Sequence, residues 1–305
     1  MIKLPTIRGI DERMYLNDVF PRIRKILCCI KTSQTAKYDK LIQYCSADGQ
    51  LDDKKIKKLV VGKFSDLSDI IDYVGEIREN PEESFEKAYK NFTNRELGQT
   101  WARTIGVTVC PYCNRSYVFT SEETGTRPQY DHFFPKSKYP YLALSLYNLI
   151  PCCSICNGLK RDIDTHESPF IYPYDEGYGN EAVFKVTSDT ANFVDQWLGS
   201  ALDYRIQIRY VEGLAEETRH RIECSAKRLK IEELYSQHSD YVRDILRTSY
   251  IYSDVYFEEL VAAYPYFFSD KRDAKNLVFF NYLQEDDWGK RVLAKLTHDI
   301  AEEVD

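Results

Sequence analysis

The chain has 305 residues, enough to build a large hydrophobic core in one domain or two modest ones. Apolar residues make up 43% and charged residues 29%, as in ordinary soluble globular proteins, and no apolar run reaches the ~18 residues that a membrane span needs. The net charge of -7 has the wrong sign for a protein that binds nucleic acid through a broad basic surface. Binding to nucleic acid would therefore need a small basic patch, a metal ion or a partner subunit.

The first residues, MIKLPTIRGIDERMYLNDVF, lack the charged-then-apolar pattern of a signal peptide. We therefore expect a cytoplasmic protein with no membrane partner. In a reducing compartment its nine cysteines are expected to be thiols or metal ligands and not disulfides.

Residues 1–105 carry apolar side chains at helical spacing and predict a helical N-terminal region. One predicted helical face is formed by Ile23, Ile26, Leu27 and Ile30. Ser65 and Ser68 are candidate helix N-caps. Pro81, followed by two acidic residues, predicts the first turn of another helix, which Gly106 is expected to end.

Residues 106–172 differ in character and predict a small domain rich in turns. The stretch VTVCPYCNRSYVFT (107–120) predicts a strand, a tight cysteine turn and a second strand. YDHFF (130–134) predicts the end of a strand, and the apolar stretch 139–151 predicts partial helix. CCSICNGLKRD (152–162) predicts a second cysteine turn that leads into a helix.

Residues 173–305 predict a mixed, mainly helical C-terminal region. VFKVTSDT (183–190) and DYRIQIRYVEG (203–213) predict strands, because apolar residues alternate along the second of them. Residues 214–264 and 287–303 predict helices.

Two cysteine pairs have the spacing of a metal site. Cys110 and Cys113, and likewise Cys153 and Cys156, are separated by two residues, so each pair can turn two thiolates toward one tetrahedral ion. Soft thiolate ligands favour zinc in a structural role. The alternative is four unrelated buried cysteines, but two pairs with the same spacing favour zinc. Cys152 lacks the two-residue gap and is expected to turn away from the metal.

An Asp131–His132 dipeptide lies between the two cysteine pairs. A neutral imidazole can take a proton from water near pH 7, and a carboxylate offers a hard oxygen to Mg²⁺ or another divalent cation. In an extended segment the two side chains point to opposite sides, so they would serve different partners. A lone Asp-His dipeptide is most often a surface turn, so the catalytic interpretation depends on the cysteines that frame it.

Two asparagines and a group of basic residues complete the pattern. Asn148 lies 16 residues after His132, and Asn157 follows the last cysteine at the start of the predicted helix. Lys160 lies one helical turn further, where it could meet a phosphate. The local basic set that could hold flanking phosphates is Lys136, Lys138, Lys160 and Arg161. The alternative for each of these charges is a solvated surface.

The order of these residues resembles that of the HNH nuclease family, with its ββα-metal site. The matching pattern is Asp131-His132, then Asn148-Leu149-x-Pro151-x-Cys153-x-x-Cys156-Asn157-x-x-Lys160. The resemblance implies an α+β fold in which a central ββα-metal HNH domain with a four-cysteine zinc clip is flanked by mainly helical regions. The expected domains are residues 1–105, 106–172 and 173–305.

The same resemblance implies a role for each residue. His132 would be the general base that activates water, and Asp131 and Asn157 would hold one catalytic Mg²⁺ or Mn²⁺. Asn148 would orient the loop that bears His132, and the zinc would be structural. The family's last motif position is often His and is Asn157 here, which suits a hard metal ion. Products with 5′-phosphate and 3′-hydroxyl ends are implied.

Three segments also resemble the HNH subunits of Septu antiphage defence systems, some of which are encoded beside retrons. The segments are DHFFPKSKYP (131–140), NLIPCCSICNGLK (148–160) and SPFIYPYDEGYG (168–179). The resemblance implies an ABC/AAA-type ATPase partner, and a retron reverse transcriptase with its DNA as a further one. A partner that holds the nucleic acid would explain the acidic chain.

Three hypotheses follow from the sequence. The first is a metal-dependent endonuclease that acts on DNA within an ATPase-partnered defence complex. The second keeps the enzyme and changes the substrate to RNA, for example tRNA. The third is a non-catalytic, zinc-stabilised interaction module, which would need the cysteines but not an Asp-His-Asn set.

Overall fold

The computed structural model describes residues 1–94, 96–188 and 204–304. These residues form many helices and three short two-stranded antiparallel sheets. Within these ranges, no helix combines the length and the apolar character that crossing a membrane requires.

The chain divides into two compact units. The first, here called the motif unit, consists of Pro5–Val107 and Val118–Pro169. The second, here called the C-terminal unit, consists of Met1–Leu4, Thr108–Tyr117 and Phe170–Asp305. Each unit groups segments that are distant in sequence, whereas the three predicted regions are consecutive stretches.

The motif unit begins with α1 (Gly9–Ser33). Its buried apolar residues recur every three or four positions: Tyr15, Val19, Ile23, Leu27 and Ile30. This spacing confirms the predicted helix, because such residues share one face. Ile26, which was predicted on the same face, is only half-buried.

A small hairpin that was not predicted from the sequence follows α2 (Asp39–Tyr44). Strand β1 (Ser46–Ala47) pairs antiparallel with β2 (Gln50–Leu51). Asp48 and Gly49 both have positive φ, 49° and 73°, as a two-residue type I′ turn requires. The Asp-Gly dipeptide is the local signal that predicts such a turn.

The next two helices are α3 (Asp53–Val61) and α4 (Phe64–Val74). The side chain of Asp52 caps α3 by accepting a hydrogen bond from a backbone N–H of its first turn. Helix α4 begins before both Ser65 and Ser68, so the prediction that these serines are N-caps is wrong.

The single helix predicted from Pro81 to Gly106 is two helices. They are α5 (Ser84–Thr93) and α6 (Glu96–Ile105). Pro81 lies in a turn before α5. Gly106, with φ of 70°, follows the last residue of α6, as predicted.

The motif segment folds as two strands and a helix. Strand β3 (Gln129–His132) pairs antiparallel with β4 (Leu149–Cys152), and α7 (Ser154–Lys160) follows directly. Two 3-10 helices, Pro140–Leu142 and Leu146–Asn148, lie between the strands and account for the partial helix predicted there.

The C-terminal unit contains the first cysteine turn and a longer hairpin. The two strands predicted on either side of that turn are absent from the described structure, where Val109 and Tyr117 form an isolated antiparallel bridge. The hairpin consists of β5 (Ala182–Ser188) and β6 (Tyr204–Tyr210), which confirms the strands predicted in these residues. Two ends of the predicted strands lie outside the described residues: residues 189–190 of the first strand and Asp203 of the second.

The remaining elements confirm the mainly helical prediction for the C-terminal region. They are α8 (Glu216–Arg228), α9 (Ile231–Tyr235), α10 (Ser239–Ile251), α11 (Asp254–Ala263), α12 (Lys271–Val278) and α13 (Ala294–Val304). The last helix begins at Ala294 and not at Asp287, which ends a 3-10 turn. Phe184 on β5 stacks on Tyr235 at 4.4 Å between ring centroids.

Candidate metal centre and active site

Four cysteine sulfurs form a cluster. The Sγ atoms of Cys110, Cys113, Cys153 and Cys156 all lie within 4.8 Å of one another, and all four residues are buried. Four thiolates at ~2.3 Å from a tetrahedral zinc are roughly 3.8 Å apart, so the cluster fits this ion. The predicted set of four cysteines is confirmed as a group that can hold a metal such as zinc.

Local backbone geometry prepares two of these sulfurs to carry negative charge. Cys153 is the N-cap of α7, and its Sγ accepts a hydrogen bond from the backbone N–H of Cys156 at 3.4 Å. The Sγ of Cys113 accepts one from the backbone N–H of Arg115, also at 3.4 Å. Such N–H donors stabilise thiolates, which are the form that binds a metal.

Cys152 is buried but is not a member of the cluster, as predicted. Burial raises the pKa of its thiol well above the usual value, and the nearby Asp131 carboxylate adds to the effect. Cys152 therefore remains a neutral thiol.

Asp131 and His132 lie on β3, opposite Ile150 and Leu149 of β4. Their residue exposures are only 3% and 7%, so the dipeptide is not a surface turn. Because side chains alternate along a strand, the carboxylate and the imidazole point to opposite sides.

The imidazole of His132 is held in one tautomer. Its Nε2 lies 3.1 Å from the carbonyl oxygen of Ala143. A carbonyl oxygen only accepts hydrogen bonds, so Nε2 carries the proton and Nδ1 carries the lone pair. Burial lowers the pKa of His132 to about 3, and the charges of Lys136 and Lys160 act in the same direction. The ring is therefore neutral near pH 7, and its edge packs on Tyr89 at 4.4 Å between centroids.

The carboxylate of Asp131 faces a buried lysine. The Nζ of Lys160 lies 3.1 Å from its Oδ2 and 3.2 Å from its Oδ1. The same ammonium donates to the carbonyl oxygens of His132 at 2.8 Å and Phe133 at 3.1 Å. Lys160 has no exposed surface. It was predicted to meet a phosphate, and here it contacts Asp131 and the backbone instead.

Asn148 is buried completely and connects the two ends of the loop between β3 and β4. Its Oδ1 accepts the backbone N–H of Phe134 at 2.7 Å. Its Nδ2 donates to the carbonyl oxygens of Phe134 at 3.1 Å and Leu142 at 3.0 Å. This geometry fixes the backbone that follows His132.

Asn157 is half-buried on α7, and its Nδ2 donates to Oε1 of Gln129 at 2.7 Å. That bond leaves the amide oxygen as a ligand atom. Asp131 and Asn157 thus offer hard oxygen donors, which suit Mg²⁺ or Mn²⁺. Among the described residues, the four cysteines are the only grouping of at least three His, Cys, Asp or Glu ligand atoms. Any divalent ion at Asp131 would therefore keep several waters, as Mg²⁺ usually does.

The predicted phosphate contacts differ in their surroundings. Lys136 pairs with Glu86 at 2.6 Å, and Lys138 pairs with Glu76 at 2.6 Å. Arg161 is exposed, and its Nε donates to a carbonyl oxygen of its own helix. Arg161 therefore has the most accessible cation of the predicted set.

Some contacts of the site come from residues that the motif did not include. Tyr89 on α5 packs on His132, and the hydroxyl of Thr165 donates to the carbonyl oxygen of Phe133 at 2.5 Å. Neither residue belongs to a local pattern, so only the three-dimensional structure assigns it to the site.

No protein-family profile matches the chain, and no solved structure matches it. Over 64 residues the chain is 36% identical to the Septu protein PtuB of Bacillus thuringiensis. The matched stretch is 21% of this chain and 23% of that relative, so the chain spans less than a quarter of the relative's length. The similarity is therefore partial, and it agrees with a resemblance to Septu defence proteins.

Proposed function

We propose that the chain is a metal-dependent HNH endonuclease that hydrolyses phosphodiester bonds, with DNA as its substrate. One observation carries the proposal. The Nε2–H of His132 is used on the carbonyl oxygen of Ala143, so Nδ1 is the ring atom left to take a proton. The partial similarity to a Septu protein supports the same reading.

In the proposed reaction, Nδ1 of His132 takes a proton from a water molecule while the water oxygen attacks the phosphorus atom. The bond from phosphorus to the 3′-oxygen breaks, and the leaving oxygen takes a proton from solvent. The products carry a 5′-phosphate and a 3′-hydroxyl. Asn148 keeps the backbone after His132 in place during this step.

Asp131 and Asn157 would hold the catalytic Mg²⁺ or Mn²⁺. When bound by these two residues, such an ion would supply positive charge that stabilises the negative charge developing in the reaction. The four cysteines would hold a zinc with no open coordination position, which makes that ion structural. Arg161 and Lys136 remain the proposed contacts to flanking phosphates, and Lys160 would join them only if its ammonium left Asp131.

We further propose that the chain is the cytoplasmic effector of an antiphage defence complex with an ABC/AAA-type ATPase. A retron reverse transcriptase and its DNA would be additional partners where such a system is encoded nearby. The acidic charge of the chain supports a partner that holds the nucleic acid.

The test compares wild type with His132→Ala, each with and without the ATPase, on plasmid, phage DNA and total RNA in Mg²⁺ or Mn²⁺. We expect wild type to cut DNA and His132→Ala to be inactive while retaining its zinc and its fold. Cleavage by His132→Ala at the wild-type rate would refute the mechanism.

The same assay separates the alternatives. Cleavage of tRNA or other RNA, with DNA left intact, would show a ribonuclease with the same catalytic residues. Absence of cleavage in every combination, with zinc bound and the ATPase captured, would favour the non-catalytic interaction module.

A further inference from the structure

The ion pair between Lys160 and Asp131 has no place in the proposed reaction. The side-chain exposures of the two residues are 0% and 3%. Lysine is seldom buried completely, because its ammonium loses the favourable interaction with water. A lysine in such a position needs close negative partners, and its partner here is the carboxylate proposed to hold the catalytic ion.

The ammonium is surrounded much as a metal ion would be. Four oxygen atoms lie within 3.2 Å of Nζ: both carboxylate oxygens of Asp131 and the carbonyl oxygens of His132 and Phe133. All four belong to three consecutive residues at the end of β3. The ammonium therefore supplies positive charge to this segment and holds it in shape.

Lys160 lies at the C-terminal end of α7. It is the last residue of α7, and Arg161 after it has a positive φ of 50° outside the helix. Its flexible four-carbon stem can redirect the ammonium without unfolding the helix.

We propose that Lys160 is the resident cation of the Asp131 site: its ammonium neutralises Asp131 in the absence of a divalent ion, and a divalent ion that binds Asp131 displaces it. This inference rests on the proposed function, because it takes Asp131 to be the metal ligand. Two cations in contact with one carboxylate repel each other, so the exchange is competitive. The released ammonium is then available for a phosphate.

The experiment measures Mn²⁺ binding by the zinc-loaded full chain, from the electron paramagnetic resonance signal of unbound Mn²⁺. Lys160→Met removes the charge and keeps a similar shape, and Lys160→Arg keeps the charge. We expect Lys160→Met to bind Mn²⁺ about tenfold more tightly than wild type, and Lys160→Arg to remain close to wild type. Without Mn²⁺, Lys160→Met should melt at a lower temperature, and Mn²⁺ should raise that temperature more than it does for wild type.

The matched control is Lys295→Met, which removes another buried lysine that pairs with Asp299. It should lower the melting temperature and leave Mn²⁺ affinity unchanged. The double variant Asp131→Asn/Lys160→Met removes both charges, and its Mn²⁺ binding should be lost.

Equal or weaker Mn²⁺ binding by Lys160→Met, or binding that survives in the double variant, would overturn the proposal. If Lys160→Met unfolds without Mn²⁺, added Mn²⁺ should restore its fold, and failure to do so also refutes the exchange. The cleavage test is separate. If wild type does not cleave but Lys160→Met binds Mn²⁺ more tightly, only the nuclease proposal is refuted. If cleavage requires His132 but Mn²⁺ affinity does not depend on Lys160, only the exchange is refuted.

Discussion

Each compact unit contains a lysine–aspartate ion pair in which both side chains are buried. In the motif unit the pair is Lys160–Asp131, and in the C-terminal unit it is Lys295–Asp299 at 2.9 Å, with side-chain exposures of 1% and 0%. Both pairs place one ammonium against one carboxylate out of contact with water. Because burying two charges seldom adds net stability, each pair invites a separate explanation.

The surroundings of the two pairs differ. Lys295 and Asp299 lie one turn apart on α13; the carboxylate also accepts the N–H of Phe184, and the ammonium donates to the carbonyl oxygen of Gly179. Burial lowers the pKa of Lys295 and raises that of Asp299. This pair ties α13 to neighbouring backbone and is structural.

The Lys160–Asp131 pair joins residues 29 positions apart and contacts the backbone of His132, the proposed general base. One pairing chemistry thus supports the fold in the C-terminal unit, whereas in the motif unit it lies at the proposed active site. The two pairs differ in the neighbouring groups that the ammonium and the carboxylate also contact, and not in the ion pair itself.

The largest expected effect comes from the cysteine cluster, where a bound ion and not a lysine would compensate the negative charge. Cys113→Ser should reduce zinc to less than about half an ion per chain and abolish cooperative folding, because structural zinc sites contribute much of the folding energy in small domains. Metal analysis and circular dichroism provide the measurements.

Cys152→Ala is the control for that change, because Cys152 is equally buried and lies beside the cluster without belonging to it. It should retain the full zinc content. Full zinc in Cys113→Ser would show that this cysteine is not a ligand.

The next largest effect is the loss of stability when the lysine of either ion pair is replaced. Removing one partner of a buried pair strands the other charge, so Lys295→Met and Lys160→Met should each lower the free energy of unfolding by about 3–5 kcal/mol. Urea unfolding with and without Mn²⁺ separates them, because only the loss at Lys160 should be recovered. Recovery at both positions would mean that Mn²⁺ stabilises the chain elsewhere.

A smaller effect is expected at Asn148, which holds the loop after His132 without any charge. Asn148→Ala removes three buried hydrogen bonds and should cost about 2–4 kcal/mol in urea unfolding. Asn157→Ala is the control, because it removes one hydrogen bond to Gln129 at a half-buried position and should cost under about 1 kcal/mol. An equal loss in both variants would contradict the bracing role of Asn148.

Local spacing predicted the parts of the site that depend on local geometry. Two residues between Cys153 and Cys156 place both sulfurs at the start of one helix, and the segment with Asp131 and His132 is a strand end as expected. The mainly helical character of both flanking regions was also predictable, because apolar spacing is repeated along each helix.

The sequence could not predict which distant residues meet. Lys160 was predicted as a possible phosphate contact from its place one helical turn after Asn157, yet folding places it against a carboxylate 29 residues away. Ser65 and Ser68 resembled helix caps, but the helix begins before them. The Asp48–Gly49 turn was predictable from its dipeptide and was missed within a region read as helix.

The smallest expected effect on stability concerns Arg161, which follows Lys160 directly but is exposed. Arg161→Ala should leave urea unfolding unchanged, because its cation is already in water. If Arg161 contacts a phosphate, the substitution should weaken binding to all sequences alike and reduce the slope of log affinity against log salt by about one. Arg209→Ala, at an exposed position on β6, is the matched control and should leave that slope unchanged. Equal slopes for wild type and both variants would assign Arg161 to the solvated surface, and Lys160 would then be the remaining cation at the end of α7 available for a phosphate.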